Sequence, residues 1–398
     1  MISRRIIQIQ IRNYKSIGQA VVDLSPLTVL VGPNGAGKSN FLDAIAFLQE
    51  CLSDSVELAF KNRGGIGAVR RRSAGHPTHI GIRVDMALDA DSSASYAFEI
   101  AAKPTERFRI ARERCEVRSF MKDSQVFEVQ DGRFKKEIPG IRPKVTTDRL
   151  ALFAASATEE FRPVYDFLTS MRFYSIVPIR LRELQEPDPG DYLKRDGRNA
   201  AAVLKRLSEV NQGKRYDRLC RLLATVVQGI ERVEYQPVGQ KETIQFKQDV
   251  GLKHPWTFDS LNMSDGTLRV LGLLLAVYQA GEHSVVAIEE PESTVHPAVA
   301  ESIVEVLMDA AQEKQILFTT HSPDIIDHKE ITDEQIRVVT MERNETLIAP
   351  LSDSSRDAIR KQLYTPGELL RTDELNPDVT SAKQEVKQLN LFSAMEQG

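Results

Sequence analysis

Gly32-Pro33-Asn34-Gly35-Ala36-Gly37-Lys38-Ser39 follows the apolar run Leu27-Thr28-Val29-Leu30-Val31. It leads into a segment, Lys38 to about Cys51, whose apolar residues Phe41, Leu42, Ile45, Ala46 and Leu48 recur at helical spacing. The octapeptide matches G-x-x-x-x-G-K-[ST], with an apolar strand before it and a helix after it. Its glycines let backbone N–H groups converge on phosphate oxygens with no Cβ in the way. The helix that starts near Lys38 turns its positive dipole end toward the same oxygens. Lys38 is the residue expected to neutralise β/γ-phosphates, and the Ser39 hydroxyl to ligate Mg²⁺.

Outward from this loop the pattern changes in blocks. Residues 6–11 alternate as a strand, and 21–31 hold a second that runs into the loop. From about Ile80 to Glu137 short alternating segments, parted by turns such as Asp131-Gly132, predict an antiparallel β lobe. From about Asp148 to Gly229 the pattern is helical, broken by the loop Glu186-Pro187-Asp188-Pro189-Gly190-Asp191, and strand patterns return near 231–248. After Pro255 the chain alternates: helix near 266–281, strand 284–289, helix 297–312, strand 315–320, helix 323–328, strand 336–341. Near-continuous apolar strands between helices predict an α/β fold on a buried, largely parallel sheet. The organisation expected is 1–78 and 256–371 as two halves of one α/β domain, 79–145 as the β lobe, 146–255 as a mainly helical insertion, and 372–398 as a polar tail with a short helix.

Val285-Val286-Ala287-Ile288-Glu289-Glu290 is an apolar strand that ends in two carboxylates. The C-terminal ends of parallel strands face the ligand crevice of such folds. Adjacent strand residues point to opposite faces, so the two carboxylates have different jobs. Glu289 is expected to hold Mg²⁺, directly or through water, and Glu290 to orient and deprotonate an attacking water.

The order of four elements now carries a resemblance: the phosphate loop, Ser264-Asp265-Gly266-Thr267, Glu289-Glu290-Pro291-Glu292, and Thr320-His321-Ser322-Pro323. It resembles the ABC-type ATPase heads of SMC, RecF and OLD-family proteins, and in particular short OLD-like AAA family ATPases without a Toprim nuclease domain. The opening Ile11-Arg12-Asn13-Tyr14-Lys15-Ser16-Ile17 resembles the first strand and N-x-K-S turn of that family. The likeness covers about residues 1–75 and 258–370. It implies a P-loop NTPase of the ABC-head type, with an antiparallel β lobe and an inserted helical subdomain. It implies ATP and Mg²⁺ as cofactors, held by Asn13, Lys15, Gly32, Pro33, Asn34, Gly35, Ala36, Gly37, Lys38, Ser39 and Asn40, with Glu290 and His321 catalytic. Ser264 and Gly266 would bind the γ-phosphate held by a second copy, so that ATP joins two heads and hydrolysis parts them. Local roles explain some of the same residues: Ser264 suits a helix N-cap, and Ser322 with Pro323 suits a helix start. The family's Q-loop has no counterpart, since no Gln occurs between Gln49 and Gln125.

Composition narrows what such a head serves. Across 398 residues, 52 Lys+Arg meet 56 Asp+Glu, a net charge of −4, so any duplex DNA contact has to come from a local patch. One candidate is 103–144, where twelve Lys/Arg face seven Asp/Glu with Phe108, Phe120, Phe127 and Phe134 interleaved. Another is Arg70-Arg71-Arg72. Ordinary alternation, apolar inward and basic outward, produces the first pattern equally well. Cys51, Cys115 and Cys220 lie far apart and make no metal spacing. The longest largely apolar run, Val270 to Ala280, has 11 residues, where a membrane span needs about 20. A cytoplasmic protein without a membrane partner is expected.

A nuclease reading has little to stand on. Asp89-Ala90-Asp91 falls in a β-lobe turn, and Pro377-Asp378 with Glu385-Val386-Lys387 is spaced too tightly for a PD-(D/E)xK site. Glu292 and His296, bracketed by Pro291 and Pro297, read as an interface loop rather than a metal pair. The expectation is an ATPase that dimerises on ATP and serves a DNA-directed process, phage defence or repair, with a separately encoded effector such as a nuclease. A stand-alone OLD-type nuclease and a non-hydrolysing ATP-dependent scaffold are the alternatives.

Overall fold

The computed structural model describes residues 4–395 apart from 74–77, 104–106, 121, 139, 140, 142, 143, 145–147, 252–254 and 282. Arg142, counted above in the basic stretch, lies outside the described residues. The chain divides into two units: Met1–Met171 with Thr332–Gly398, and Arg172–Ile331.

In the first unit, β1 (Arg5–Tyr14), β2 (Ile17–Asp23) and β3 (Leu27–Val31) are followed by β4 (His79–Ala87), β5 (Ser92–Ala102), β6 (Phe108–Ser119), β7 (Lys122–Gln130) and β8 (Arg133–Lys136). The opening strands and the β lobe form one seven-stranded sheet, in the order β2-β1-β4-β5-β6-β7-β8 with antiparallel neighbours. A register shift between Ile6 and Gln8 moves the buried set of β1 from Ile6 to Ile9 and Ile11, leaving Ile7 exposed. The helix Lys38–Ser53 buries Phe41, Leu42, Ile45, Phe47 and Leu48. The Phe47 ring lies 5.7 Å from Tyr14 and 6.5 Å from Phe98 of the sheet, and 4.9 Å from Phe60 of the helix Val56–Lys61, so aromatic residues anchor this helix.

The strand β3 is buried at all five positions. It pairs in parallel with Ile336–Glu342, which pairs antiparallel with Glu345–Ala349. Helices Ala151–Ala155 and Arg162–Thr169 also belong to this unit, so the expected insertion is divided rather than folded as one piece. The first is tied down by Glu113 of β6, whose carboxylate accepts the N–H groups of Ala151 and Leu152. The C-terminal segment, expected as a polar tail with a short helix, carries that helix and packs as well. After the helix Val379–Lys387, Leu391 is 2% exposed and sits over Gly81, where a Cβ would lie 2.2 Å from its Cδ1. Arg83 donates to the Ser393 carbonyl at 2.8 Å, and the Arg112 guanidinium stacks 4.3 Å from the Phe392 ring.

The second unit holds the three parallel strands Arg172–Tyr174, Val285–Glu289 and Gln315–Thr320, with 285–289 in the middle. Helix Asp265–Tyr278 leads into the middle strand, and helix Ala300–Ala310 links it to Gln315–Thr320. Strand 172–174 is too short to register as a pattern in the sequence. An antiparallel three-stranded sheet, 230–238, 241–248 and 256–259, completes the unit with helices Ala200–Glu209 and Lys214–Val226.

Candidate functional site

Two clusters hold the expected residues, one in each unit. In the first, the loop Gly32–Gly37 runs from β3 into the helix that begins at Lys38. Close approach dictates two of its glycines. A Cβ on Gly32 would lie 2.0 Å from the Val339 carbonyl oxygen. Gly37 has φ of 106°, and a Cβ there would lie 2.1 Å from Thr346 Oγ1. Lys38 is 5% exposed, and its Nζ donates to the carbonyls of Gly32 at 2.7 Å and Pro33 at 3.1 Å. The loop is thus curled around its own ammonium group. Pro33, Asn34 and Gly35 are exposed at the rim, as is Ser39.

A network behind the loop holds Asn40, Ser16 and Thr346. Asn40 Nδ2 donates to Ser16 Oγ at 2.6 Å, Ser16 and Thr346 share a hydrogen bond of 2.7 Å, and Thr346 Oγ1 donates to the Ala36 carbonyl at 2.9 Å. Asn13 has φ of 58°, and its side chain donates to the His79 carbonyl at 2.9 Å. Lys15 Nζ lies 2.6 Å from Asp43 Oδ2. Asp43 also accepts from Arg63 Nε at 3.1 Å and from the Tyr14 hydroxyl at 2.7 Å. Burial pushes its carboxyl up, but Arg63, Lys15 and Tyr14 outweigh burial and bring it down to about 2. Of the basic run, Arg71 pairs with Glu345 at 2.8 Å and Arg70 bridges to the Tyr14 backbone.

In the second unit, strand 285–289 ends at two half-buried carboxylates. Glu290 turns the chain with φ of 43°, its N–H bonded to the carbonyl and the hydroxyl of Thr319, each at 3.1 Å. The two carboxylates have separate partners. Glu289 Oε1 meets Arg195 Nη2 at 2.7 Å, and Glu290 Oε1 lies 3.3 Å from His321 Nδ1. Arg195 comes from the turn 194–197, whose Arg195 and Asp196 carbonyls accept the N–H groups of Ser175 and Val177 just beyond strand 172–174. Glu292 turns inward and accepts from Thr320 Oγ1 at 2.6 Å; burial raises its carboxyl above the usual range.

Ser264 caps the helix Asp265–Tyr278, its Oγ accepting the Thr267 N–H at 3.1 Å. Asp265 is held by Arg182 at 2.5 Å. Gly266 lies against the acidic turn, where a Cβ would sit 3.3 Å from the Thr294 carbonyl. Arg269, one turn on, is 9% exposed, and its Nε has no hydrogen-bond partner among the described residues. Burial lowers its affinity for the proton, and the charges of Glu292, Glu290 and Asp265 oppose that. His296 is exposed and joins no metal-ligating cluster with Glu292 among the described residues. Sequence reasoning missed Thr346, Asp43, Arg182, Arg195 and Arg269. None stands in a recognisable spacing, and each acts through a partner distant in sequence or a burial that local pattern does not report.

Residues 27–327 match the family described as "AAA domain, putative AbiEii toxin, Type IV TA system". The chain belongs to this family. No curated protein matched the chain. Among solved structures, an SMC head bound to the C-terminal winged-helix domain of ScpA is 14% identical with a TM-score of 0.55, covering 88% of this chain and 98% of that one. An SMC head with an extended coiled coil, bound to the C-terminal domain of ScpA from Pyrococcus furiosus, is 11% identical with a TM-score of 0.54, covering 90% and 99%. The fold of this AAA-family chain is therefore that of an SMC-type, ABC-class P-loop ATPase head, and the ABC-type resemblance holds at that level. No helix among the described residues is long and apolar enough to cross a membrane.

Proposed function

We propose that this AAA-family chain binds and hydrolyses ATP with Mg²⁺ between two copies of itself, and that the cycle governs a separately encoded effector in phage defence or DNA repair. The observation that carries the proposal is the phosphate loop, with Lys38 buried inside a ring of its own backbone at the start of a sixteen-residue helix. The donor chemistry fits the cofactor. Exposed Ser39 hydroxyl and half-buried Glu289 carboxylate are hard oxygen ligands of the kind Mg²⁺ takes. When bound, Mg²⁺ would screen the charge of the phosphate oxygens. Lys38 exchanges its two carbonyl partners for phosphate. Glu290 accepts a proton from water, and His321, beside it, orients that carboxylate. Ser264 and Gly266 end an exposed helix N-terminus and serve the nucleotide of the partner copy.

The two solved SMC heads are bound to ScpA domains, which supports a protein partner for a head of this fold. The charge argument for duplex DNA is weakened. Arg109 pairs with Asp131, Arg112 with Glu128 at 2.7 Å, Arg114 with Glu116 at 3.0 Å and Arg118 with Glu116 at 2.8 Å, so four arginines of the basic stretch have carboxylate partners. The test is a mixed dimer of Ser264→Arg and Lys38→Ala chains. One of its two shared sites keeps every residue, so it retains part of the wild-type turnover while each parent is inactive. Glu290→Gln binds ATP tightly, stays dimeric and does not turn over. No rescue on mixing, with subunit exchange verified, refutes the shared site; normal turnover of Glu290→Gln refutes the base.

A further inference from the structure

We propose that Glu301, Glu305 and His328 form a binding site for a first-row divalent metal of the Zn²⁺ or Mn²⁺ kind, separate from the nucleotide residues. Glu301 and Glu305 are four apart on the helix Ala300–Ala310, so they share one face. Two like charges at that spacing disfavour the helix by about 0.2–0.5 kcal/mol unless something offsets them. Neither has a hydrogen-bond or ion-pair partner among the described residues. His328 follows the helix Pro323–Ile326 and is turned inward. One ligand atom from each of the three lies within 4.8 Å of the others.

The histidine supplies the independent observation. It is only 7% exposed, yet its Nε2 is buried without a hydrogen-bond partner among the described residues. Its Nδ1 accepts the Glu330 N–H at 3.3 Å, which leaves Nε2 as the nitrogen free to ligate. A buried polar atom left unsatisfied costs about 1–3 kcal/mol, and a metal–nitrogen bond removes that cost. Ligation through Nε2 puts the ring proton on Nδ1. The long bond from the Glu330 N–H is then given up, and Glu330, being exposed, can turn to water.

The donor set selects the ion. One imidazole with two carboxylates suits Zn²⁺ or Mn²⁺, whereas Mg²⁺ and Ca²⁺ prefer oxygen alone. Metal–ligand bonds are about 2.0–2.2 Å for such donors, and both glutamates are exposed and can re-aim to meet them. The ion would clasp the helix that follows the acidic turn to the segment that begins at His321.

The test uses the full chain without nucleotide, by equilibrium dialysis and calorimetry with ZnCl₂ and MnCl₂. One equivalent of metal binds per chain, and thermal stability rises with it. Glu301→Gln and Glu305→Gln each weaken that binding at least tenfold without lowering metal-free stability, whereas Glu289→Gln leaves it unchanged. His328→Gln abolishes it, and the exposed glutamate variants keep the test decisive if that buried substitution unfolds the chain. Absence of a saturable equivalent for both metals overturns the site, as does binding that is equal in wild type and in both glutamate variants.

Discussion

Asp43→Asn is the perturbation for which the structure supplies a magnitude. Asp43 is 6% exposed on the helix that begins at Lys38, and it accepts from Arg63, Lys15 and Tyr14. Its carboxyl sits at about 2 in the folded protein, against about 3.9 for an unperturbed Asp. A shift of roughly two units corresponds to about 2–3 kcal/mol of stability held by the ionised form. The sign follows from the depressed value. The contribution is fully present above pH ~4 and is lost as pH falls toward ~2. Asparagine keeps the shape but not the charge, leaving Arg63 with the Glu50 carboxylate, at 2.8 Å, and Lys15 without the Asp43 carboxylate. Urea unfolding at pH 7 should show the variant about 2–3 kcal/mol less stable, with the gap narrowing to about half on acidification to pH ~3. A neutral-pH gap below about 0.5 kcal/mol, typical of surface changes, or a gap that widens in acid, refutes the argument.

Two further outcomes follow from single side chains. Arg195→Ala should free Glu289 and lower the Mg²⁺ concentration that half-saturates ATP binding several-fold; an unchanged Mg²⁺ dependence means that the ion pair does not compete with the metal. Burial raises the Glu113 carboxyl to about 7, against the pull of its bonds from Ala151, Leu152 and Tyr96. A raised carboxyl favours the protonated fold, so wild-type stability should fall by about 3 kcal/mol as pH climbs from ~4.5 to past ~7. Glu113→Gln should flatten that slope, and the same slope in both proteins would assign it elsewhere.

The phosphate loop, the acidic strand end, the Ser-Asp-Gly helix start and the His after strand 315–320 were legible in the sequence because each is a local device. Glycine spacing, an N-cap and a strand terminus are all dictated within a few residues, and helices and strands of the second half were placed to within a few positions for the same reason. Tertiary structure alone decided the rest. The opening strand joins the β lobe because the bulge after Ile6 aligns its isoleucines with the buried face of β4, a pairing between segments some seventy residues apart. Strand 172–174 exists only through the ladder offered by Val286–Ile288, since three residues carry no periodicity. The C-terminal segment reads as a linker because its seat is a missing side chain at Gly81 and the charge of Arg83, both remote in sequence. The same physics applies to charge. Arg109, Arg112, Arg114 and Arg118 fit a basic surface or plain strand alternation in the sequence, until the cross-strand and same-strand carboxylates beside them are seen. Residue type announces chemistry that a short stretch of backbone can arrange, whereas pairing, burial and the partners of a charge depend on what the rest of the chain brings to it.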